Sequence, residues 1–150
     1  MYITANAKPR ADNHRAEYEK FSLDTCRSMI ALFDVSRTGN LDLDELQELW
    51  KCIKFWSGIF KAFDKDTSGK ISAFGLKTVL AKAGYKLHSR LLKALALRYA
   101  SKDGSITYDD YIGCVVKLKT IIDIFEERDP LDKGVVQFDL ESWVELSMYA

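Results

Sequence analysis

Apolar residues recur at steps of three and four between residues 44 and 63, where Leu46, Leu49, Trp50, Ile53, Trp56, Phe60 and Phe63 form one stripe. That is the period of an amphipathic helix, and it predicts one long helix from about Asp44 to Phe63. A second stripe, Ile112, Val115, Leu118, Ile122 and Phe125, predicts another from Tyr111 to Arg128. Between them lie two shorter helices. One runs from about Ala73 to Ala83 and stops at Gly84, the residue type that best takes the left-handed conformation at a helix end. The other runs from Leu87 to Tyr99, and residues 140–147 supply a last short one. Residues 1–20 read as a flexible tail, because Lys8 to Asn13 is polar and turn-prone, until a helix near Tyr18 begins.

The segments joining these helices repeat. Gly39, Gly69, Gly104 and Gly134 are spaced by 30, 35 and 30 residues. Two residues after each glycine stands an aliphatic (Leu41, Ile71, Ile106, Val136), and nine before it another apolar residue (Ile30, Phe60, Leu95, Phe125). Self-similarity in fixed phase means stacked copies of one supersecondary unit. In the first two copies Asp, Ser and Thr surround the glycine, in Asp34-Val-Ser-Arg-Thr-Gly39 and Asp64-Lys-Asp-Thr-Ser-Gly69. This is the EF-hand calcium loop between two helices. The fold class is therefore all-α, built of EF-hands that share their long helices. The aliphatic after each glycine is expected in a short strand that pairs with a neighbouring loop.

Calcium is a hard cation that takes oxygens from loop positions 1, 3, 5, 7 (main chain), 9 and a bidentate acid at 12. The first loop offers Asp34, Ser36, Thr38, the Asn40 carbonyl, Asp42 and Glu45. Ser36 replaces an acid, which lowers the charge, yet every position carries oxygen and this is expected to be the tightest site. The second loop offers Asp64, Asp66, Ser68, the Lys70 carbonyl and Ser72, but Gly75 stands at position 12. Without the bidentate acid its binding is expected to be weak or absent. The third loop starts with Tyr99 in place of an acid, so it reads as structural; Thr107, Asp109 and Asp110 read as solvated side chains at a helix start rather than as ligands of a weak ion. The fourth puts Leu131 and Lys133 where ligand oxygens belong and reads as non-binding.

Composition narrows the function further. A chain of 150 residues fits one domain with a substantial core. Lys plus Arg (22) equals Asp plus Glu (22), which implies no broad basic surface for nucleic acid and agrees with some loops being disarmed. No apolar run is long enough to span a bilayer, and the N-terminal residues lack the apolar core of a signal peptide. Three cysteines without framework spacing point to a reduced, cytoplasmic setting. Catalysis is not expected of this chain: His14 falls in the tail, His88 at a helix start, and Cys26, Cys52 and Cys114 on helices near apolar stripes.

Asp24-Thr25-Cys26-Arg27-Ser28-Met29, the helix carrying Leu49-Trp50 and Trp56, and the ending Glu141-Ser142-Trp143-Val144-Glu145-Leu146-Ser147-Met148-Tyr149-Ala150 resemble the C-terminal penta-EF-hand domain of calpains. The likeness extends to both the large-subunit domain and the small subunit, over about Phe21 to Ala150. The terminal Trp and the Met-Tyr ending favour calpains over relatives such as sorcin. The resemblance makes residues 21–150 the domain and its four loops hands two to five, with the first hand missing or reduced. It implies a calcium-responsive regulatory and dimerisation domain of a cytosolic cysteine endopeptidase, whose papain-like core lies in cis or on a partner chain. The family's ligands carry over onto Asp34, Ser36, Thr38, Asn40 and Glu45, and onto Asp64, Asp66, Ser68 and Lys70, with Gly75 the departure. The last hand has no mate within the chain. Val136, Phe138, Leu140, Trp143 and Leu146 are therefore expected to meet an identical or related hand in a homodimer or heterodimer. Two alternatives stay open: a calcium-insensitive dimerisation module of a divergent calpain, and a free-standing penta-EF-hand adaptor.

Overall fold

Side chains that cap their own helices decide where most elements begin. In the structure, a computed structural model that describes residues 20–149, helix α1 (Leu23–Phe33) starts after Ser22, whose hydroxyl accepts the Thr25 N–H. Helix α2 (Leu43–Phe63) starts after Asp42, which accepts the Glu45 N–H while the Glu45 carboxylate accepts the Asp42 N–H. Each side chain of this reciprocal pair satisfies a donor that the helix itself leaves free. Helix α5 (Tyr108–Arg128) starts after Thr107, which accepts the Asp110 N–H. At the second loop Ser72 accepts the Gly75 N–H, but Gly75 has no side chain to answer it. There the first turn is a 3-10 turn, Ala73–Gly75, and helix α3 proper runs only Leu76–Lys82. The predicted helix over residues 73–83 is thus two elements. Helix α4 (Ser89–Tyr99) follows His88, and helix α6 (Leu140–Tyr149) follows Asp139. The expected helix start near Tyr18 lies outside the described residues, as do residues 1–19 of the expected tail.

Strand β1 (Lys70–Ser72) pairs antiparallel with β2 (Ser105–Thr107), with Ile71 opposite Ile106. The second and third loops are joined in this way, and Ile71 and Ile106 are both buried. Leu41 and Val136 occupy the same place in the first and fourth loops but lie in no strand. The expectation of a strand in every loop fails there for a physical reason: a two-stranded ribbon needs a neighbour, and those two loops find none among the described residues.

The core lies between α1, α2, α3, α5 and the ribbon. Phe60, Leu80, Ile106, Tyr111, Ile112 and Val115 are sealed within it. Phe60 packs edge-on to Tyr108 and tilted against Tyr111, with ring centres 5.3 and 5.2 Å apart. The Ser57 and Tyr108 hydroxyls bond to each other, and the Asp109 carboxylate accepts the Ser22 N–H at 3.0 Å, tying the start of α1 to that of α5. The predicted α2 stripe is narrower than its sequence period suggests: Leu49, Ile53, Trp56 and Phe60 are buried, whereas Leu46 and Trp50 are exposed. Burial along α5 ends at Thr120, and no described side chain beyond it is buried.

Candidate metal centre

Three of the four loops are folded around the aspartate at their first position. In the first loop one Asp34 oxygen accepts the Thr38 N–H (2.9 Å) and the other the Gly39 N–H (2.6 Å). Asp64 does the same for Ser68 (3.0 Å) and Gly69 (2.8 Å), and Asp129 for Lys133 (2.9 Å) and Gly134 (2.6 Å). A main chain bent tightly enough to aim two successive N–H groups at one carboxylate must turn left-handed. Arg37, Thr67 and Asp132 accordingly stand at φ of 53, 55 and 50°, with positive φ again at each loop glycine. The third loop has Tyr99 instead of the acid, and in it only Gly104 has positive φ. The aspartate at position one is the signal from which this backbone course can be read.

The first loop carries this cradle furthest towards a cage. Ser36 Oγ donates to Asp34 at 3.2 Å and lies 3.4 Å from Thr38 Oγ1, which in turn donates to the Asn40 carbonyl at 3.0 Å. Glu45 closes the ring: its Oε1 accepts the Ser36 N–H and its Oε2 the Asp42 N–H, both at 3.0 Å. Asp34, Ser36, Thr38, Asn40 and Glu45, distant by up to eleven residues in sequence, therefore share one small volume. Desolvation works to raise the Asp34 pKa, but the Thr38 and Gly39 N–H groups and the Ser36 and Thr38 hydroxyls outweigh it and lower it below the usual carboxylate value. The donor set is all oxygen with two carboxylates, the chemistry a hard divalent cation takes. Asp42, an expected oxygen donor, instead spends its side chain on capping α2.

In the second loop Asp64, Asp66, Ser68 and the Lys70 carbonyl come together in the same way. Ser68 Oγ donates to Asp64 at 3.1 Å and, at 3.4 Å, to the Lys70 carbonyl, while the Asp66 carboxylate accepts the Ser68 N–H at 3.2 Å. The bonds from Ser68, then that with Asp64, hold the Asp66 carboxyl below its ordinary value. The side that Glu45 closes in the first loop stays open here, because Gly75 reaches nothing.

The other loops lack such a cage. Asp110 and Thr107 bond to each other in capping α5, and Asp109 accepts from Ser22, so these three serve the fold. In the fourth loop no ligand oxygen follows Asp129 at positions three and five. Among the described residues no three His, Cys, Asp or Glu side chains converge, since the first loop builds its ring from two carboxylates, two hydroxyls and a carbonyl.

The expected contact residues of the last hand are distributed over its loop and helix. Val136 and Phe138 are half-buried and line an open hollow of about 700 Å³ between the ends of α5 and α6. The Phe138 ring sits 5.6 Å from that of Trp143 and beneath the Arg128 guanidinium. Leu140 is 76% exposed and Trp143 56%, with Leu146 half-buried.

Among the described residues no cysteine is an activated nucleophile. Desolvation raises the Cys26, Cys52 and Cys114 thiols, the last to about 12, and a thiol held protonated does not attack.

No family profile matches the chain. Individual proteins do. Calpain-A of Drosophila melanogaster is 44% identical over 134 residues, which are 89% of this chain and 16% of that protein. Grancalcin of Mus musculus is 40% identical over 131 residues, 87% of this chain and 59% of that one. Calpain small subunit 2 of Homo sapiens is 35% identical over 130 residues, 87% and 52% respectively. The chain thus spans well under two thirds of the length of each. Among solved structures, a homologue of programmed cell death 6 protein from Leishmania major Friedlin superposes with a TM-score of 0.64 at 22% identity, covering 86% of this chain and 75% of that one. Its fold is that of a penta-EF-hand protein. With loops that share one cradle, two of them paired, and with relatives that agree over nearly its whole length, this chain is similar throughout to the calpain-type penta-EF-hand domains, which supports a regulatory or dimerisation module.

Proposed function

We propose that this domain binds calcium chiefly through Asp34, Ser36, Thr38, Asn40 and Glu45, and more weakly through Asp64, Asp66, Ser68 and Lys70. The observation that carries the reading is Glu45 folded back over its own loop to meet Ser36 and Asp42. A cation entering the ring would take those carboxylate oxygens as its bidentate ligand and draw the start of α2 with them. Because α2 also enters the second loop, a shift at Glu45 would move both hands. This is how ion binding becomes a regulatory signal rather than mere storage.

The last hand is the dimerisation surface in the same reading. Val136, Phe138, Leu140, Trp143 and Leu146 offer apolar area that the other described residues leave partly uncovered, and an identical or related hand would cover it isologously. Calpain small subunit 2, among the relatives, makes a calpain-type partner the natural mate, as a homodimer or a heterodimer. The protease core would then lie in cis or on the partner chain, in a cytoplasmic setting, with residues 21–150 as the domain and 1–20 as its tail. Grancalcin, of which this chain spans 59%, favours a second reading as a free-standing adaptor.

Analytical ultracentrifugation tests the dimer. The chain is expected to sediment as a dimer at micromolar concentration, and a variant with Phe138→Ser and Trp143→Ser as a folded monomer. A wild-type chain that stays monomeric at about 100 μM, far above the affinity expected of a specific interface, overturns this half of the proposal.

A further inference from the structure

Equal totals of acidic and basic residues conceal a segregation along the chain. Residues 67–102 hold eight Lys and Arg and not one Asp or Glu, whereas residues 103–149 hold eleven acids against four bases. The basic stretch covers β1 and α3, which leave the second loop, and α4, which enters the third, two helices in contact with each other. All eight of its cations are exposed. Among the described residues only Lys70 of the eight makes an ion pair, a 3.9 Å one to Asp103. Lys117 on α5 adds to the same field: desolvation first, then the nearby Arg98 guanidinium, lowers its pKa. So many like charges with one ion pair among them repel one another in the free protein, and a polyanionic surface relieves that repulsion.

Apolar side chains protrude among these charges. Phe74 is 97% exposed and precedes Lys77 and Ala81 by one and two helical turns. Leu97 is 87% exposed and continues the stripe of Arg90 and Lys93 along α4. Where α3 ends and α4 begins, a hollow of about 190 Å³ is lined by Lys77, Tyr85, Lys86 and His88. The Tyr85 hydroxyl remains a donor there, its pKa pushed up to about 12 mainly by desolvation. This volume suits a phosphate-bearing headgroup and is too small for a peptide. An acidic peptide would also need a groove to enclose it, whereas here the apolar groups stand out from the surface. Basic residues interleaved with a protruding aromatic and leucine match the interface of an anionic bilayer, which draws in the cations and accepts the apolar tips.

We propose that the face formed by the adjoining helices α3 and α4 docks on an anionic phospholipid surface, with Lys77, Lys86, Arg90 and Lys93 against the headgroups and Phe74 and Leu97 in the interfacial layer. The test is co-sedimentation of the full chain with vesicles of phosphatidylcholine alone or with about 30% phosphatidylserine, in low and high salt. Binding is expected only to the anionic vesicles, and raising the salt weakens it. Each charge removed is expected to weaken binding about fivefold, so Lys77→Glu, Lys86→Glu, Arg90→Glu and Lys93→Glu together abolish it. The corresponding Gln variants keep the test intact if charge reversal impairs folding, with a loss of more than about a hundredfold. Phe74→Ser with Leu97→Ser weakens binding several-fold without changing its salt dependence. Lys51→Glu, Lys54→Glu and Lys61→Glu, the same kind of change on α2, leave it in place. Failure to bind anionic vesicles, equal binding to both vesicle types, or binding that survives the four Gln changes overturns the proposal. So does capture of soluble polyglutamate without vesicle binding, which would assign the surface to an acidic protein.

Discussion

The first and second loops share a backbone course and differ in two respects that run opposite ways. The first has an acid at its last ligand position, Glu45, and no partner strand among the described residues; the second has a partner strand and no acid. Asp64 is 3% exposed beside the ribbon, while Asp34 is only half-buried. Packing and ligand content have therefore separated in this chain. Of the two, the loop more firmly built into the core is the poorer cage, and the better cage is the less firmly held.

The sharpest way to test that separation is one substitution made in both loops. Asp34→Ala is expected to lower calcium affinity by more than about a hundredfold, since it removes a charged ligand and the acceptor that shapes the loop. It should change the stability of the metal-free protein little. Asp64→Ala leaves the Ser68 and Gly69 N–H groups without their acceptor next to the core, so it should destabilise even without calcium, by about 1–3 kcal/mol. Equal denaturation midpoints for the two variants would erase the distinction.

Supplying the missing acid is the next test. Gly75 has φ −72°, and an added Cβ would meet only Ser72 Oγ, at 3.4 Å, so a side chain fits without strain. Ser72 and Gly75 stand to each other as Asp42 and Glu45 do, side-chain oxygen to N–H, at 3.1 and 2.9 Å. Gly75→Glu is expected to raise affinity at the second loop about tenfold or more. No gain in a calorimetric titration would show that the loop backbone, not its ligand count, sets the limit.

Pairing alone is probed by the aliphatics that follow the glycines. Ile106→Ala, in the sealed centre of the ribbon, should cost about 2–5 kcal/mol, and Leu41→Ala, half-buried and unpaired, about 1 kcal/mol or less by chemical denaturation. The smallest effect concerns Asp139 at the start of α6. The Ser142 N–H and hydroxyl lower its pKa below 3.8, so its contribution is present above the unfolded value and is lost as the pH falls through the folded one. The helical signal of the last hand should hold from pH 7 to 5 and drop only below about 4, and Asp139→Asn should remove that pH dependence.

Much of this architecture is legible in the residues because the repeat fixes a phase. The glycines place the loops, the stripes place α2 and α5, and Glu45 against Gly75 is plain in the text of the chain. Burial is another matter. Leu41, Ile71, Ile106 and Val136 are equivalent in the repeat, yet only the middle two are sealed, because burial depends on a neighbour that the pattern does not name. For the same reason Leu46 and Trp50 look like core residues in the α2 stripe and are exposed. The 3-10 turn at Ala73 follows from an empty side chain, a cue visible only once the capping role of Glu45 is known. The charge segregation lies in the sequence too, beneath a balanced total.

We propose the first loop, closed by Glu45, as the principal calcium site. Calorimetric titration of the metal-free chain beside its Glu45→Gln variant tests it directly. The intact chain is expected to show a highest-affinity event that is absent from the variant, with the weaker binding at the second loop unchanged. A variant that titrates like the intact protein, or an intact chain that binds no calcium at millimolar concentration, would contradict it.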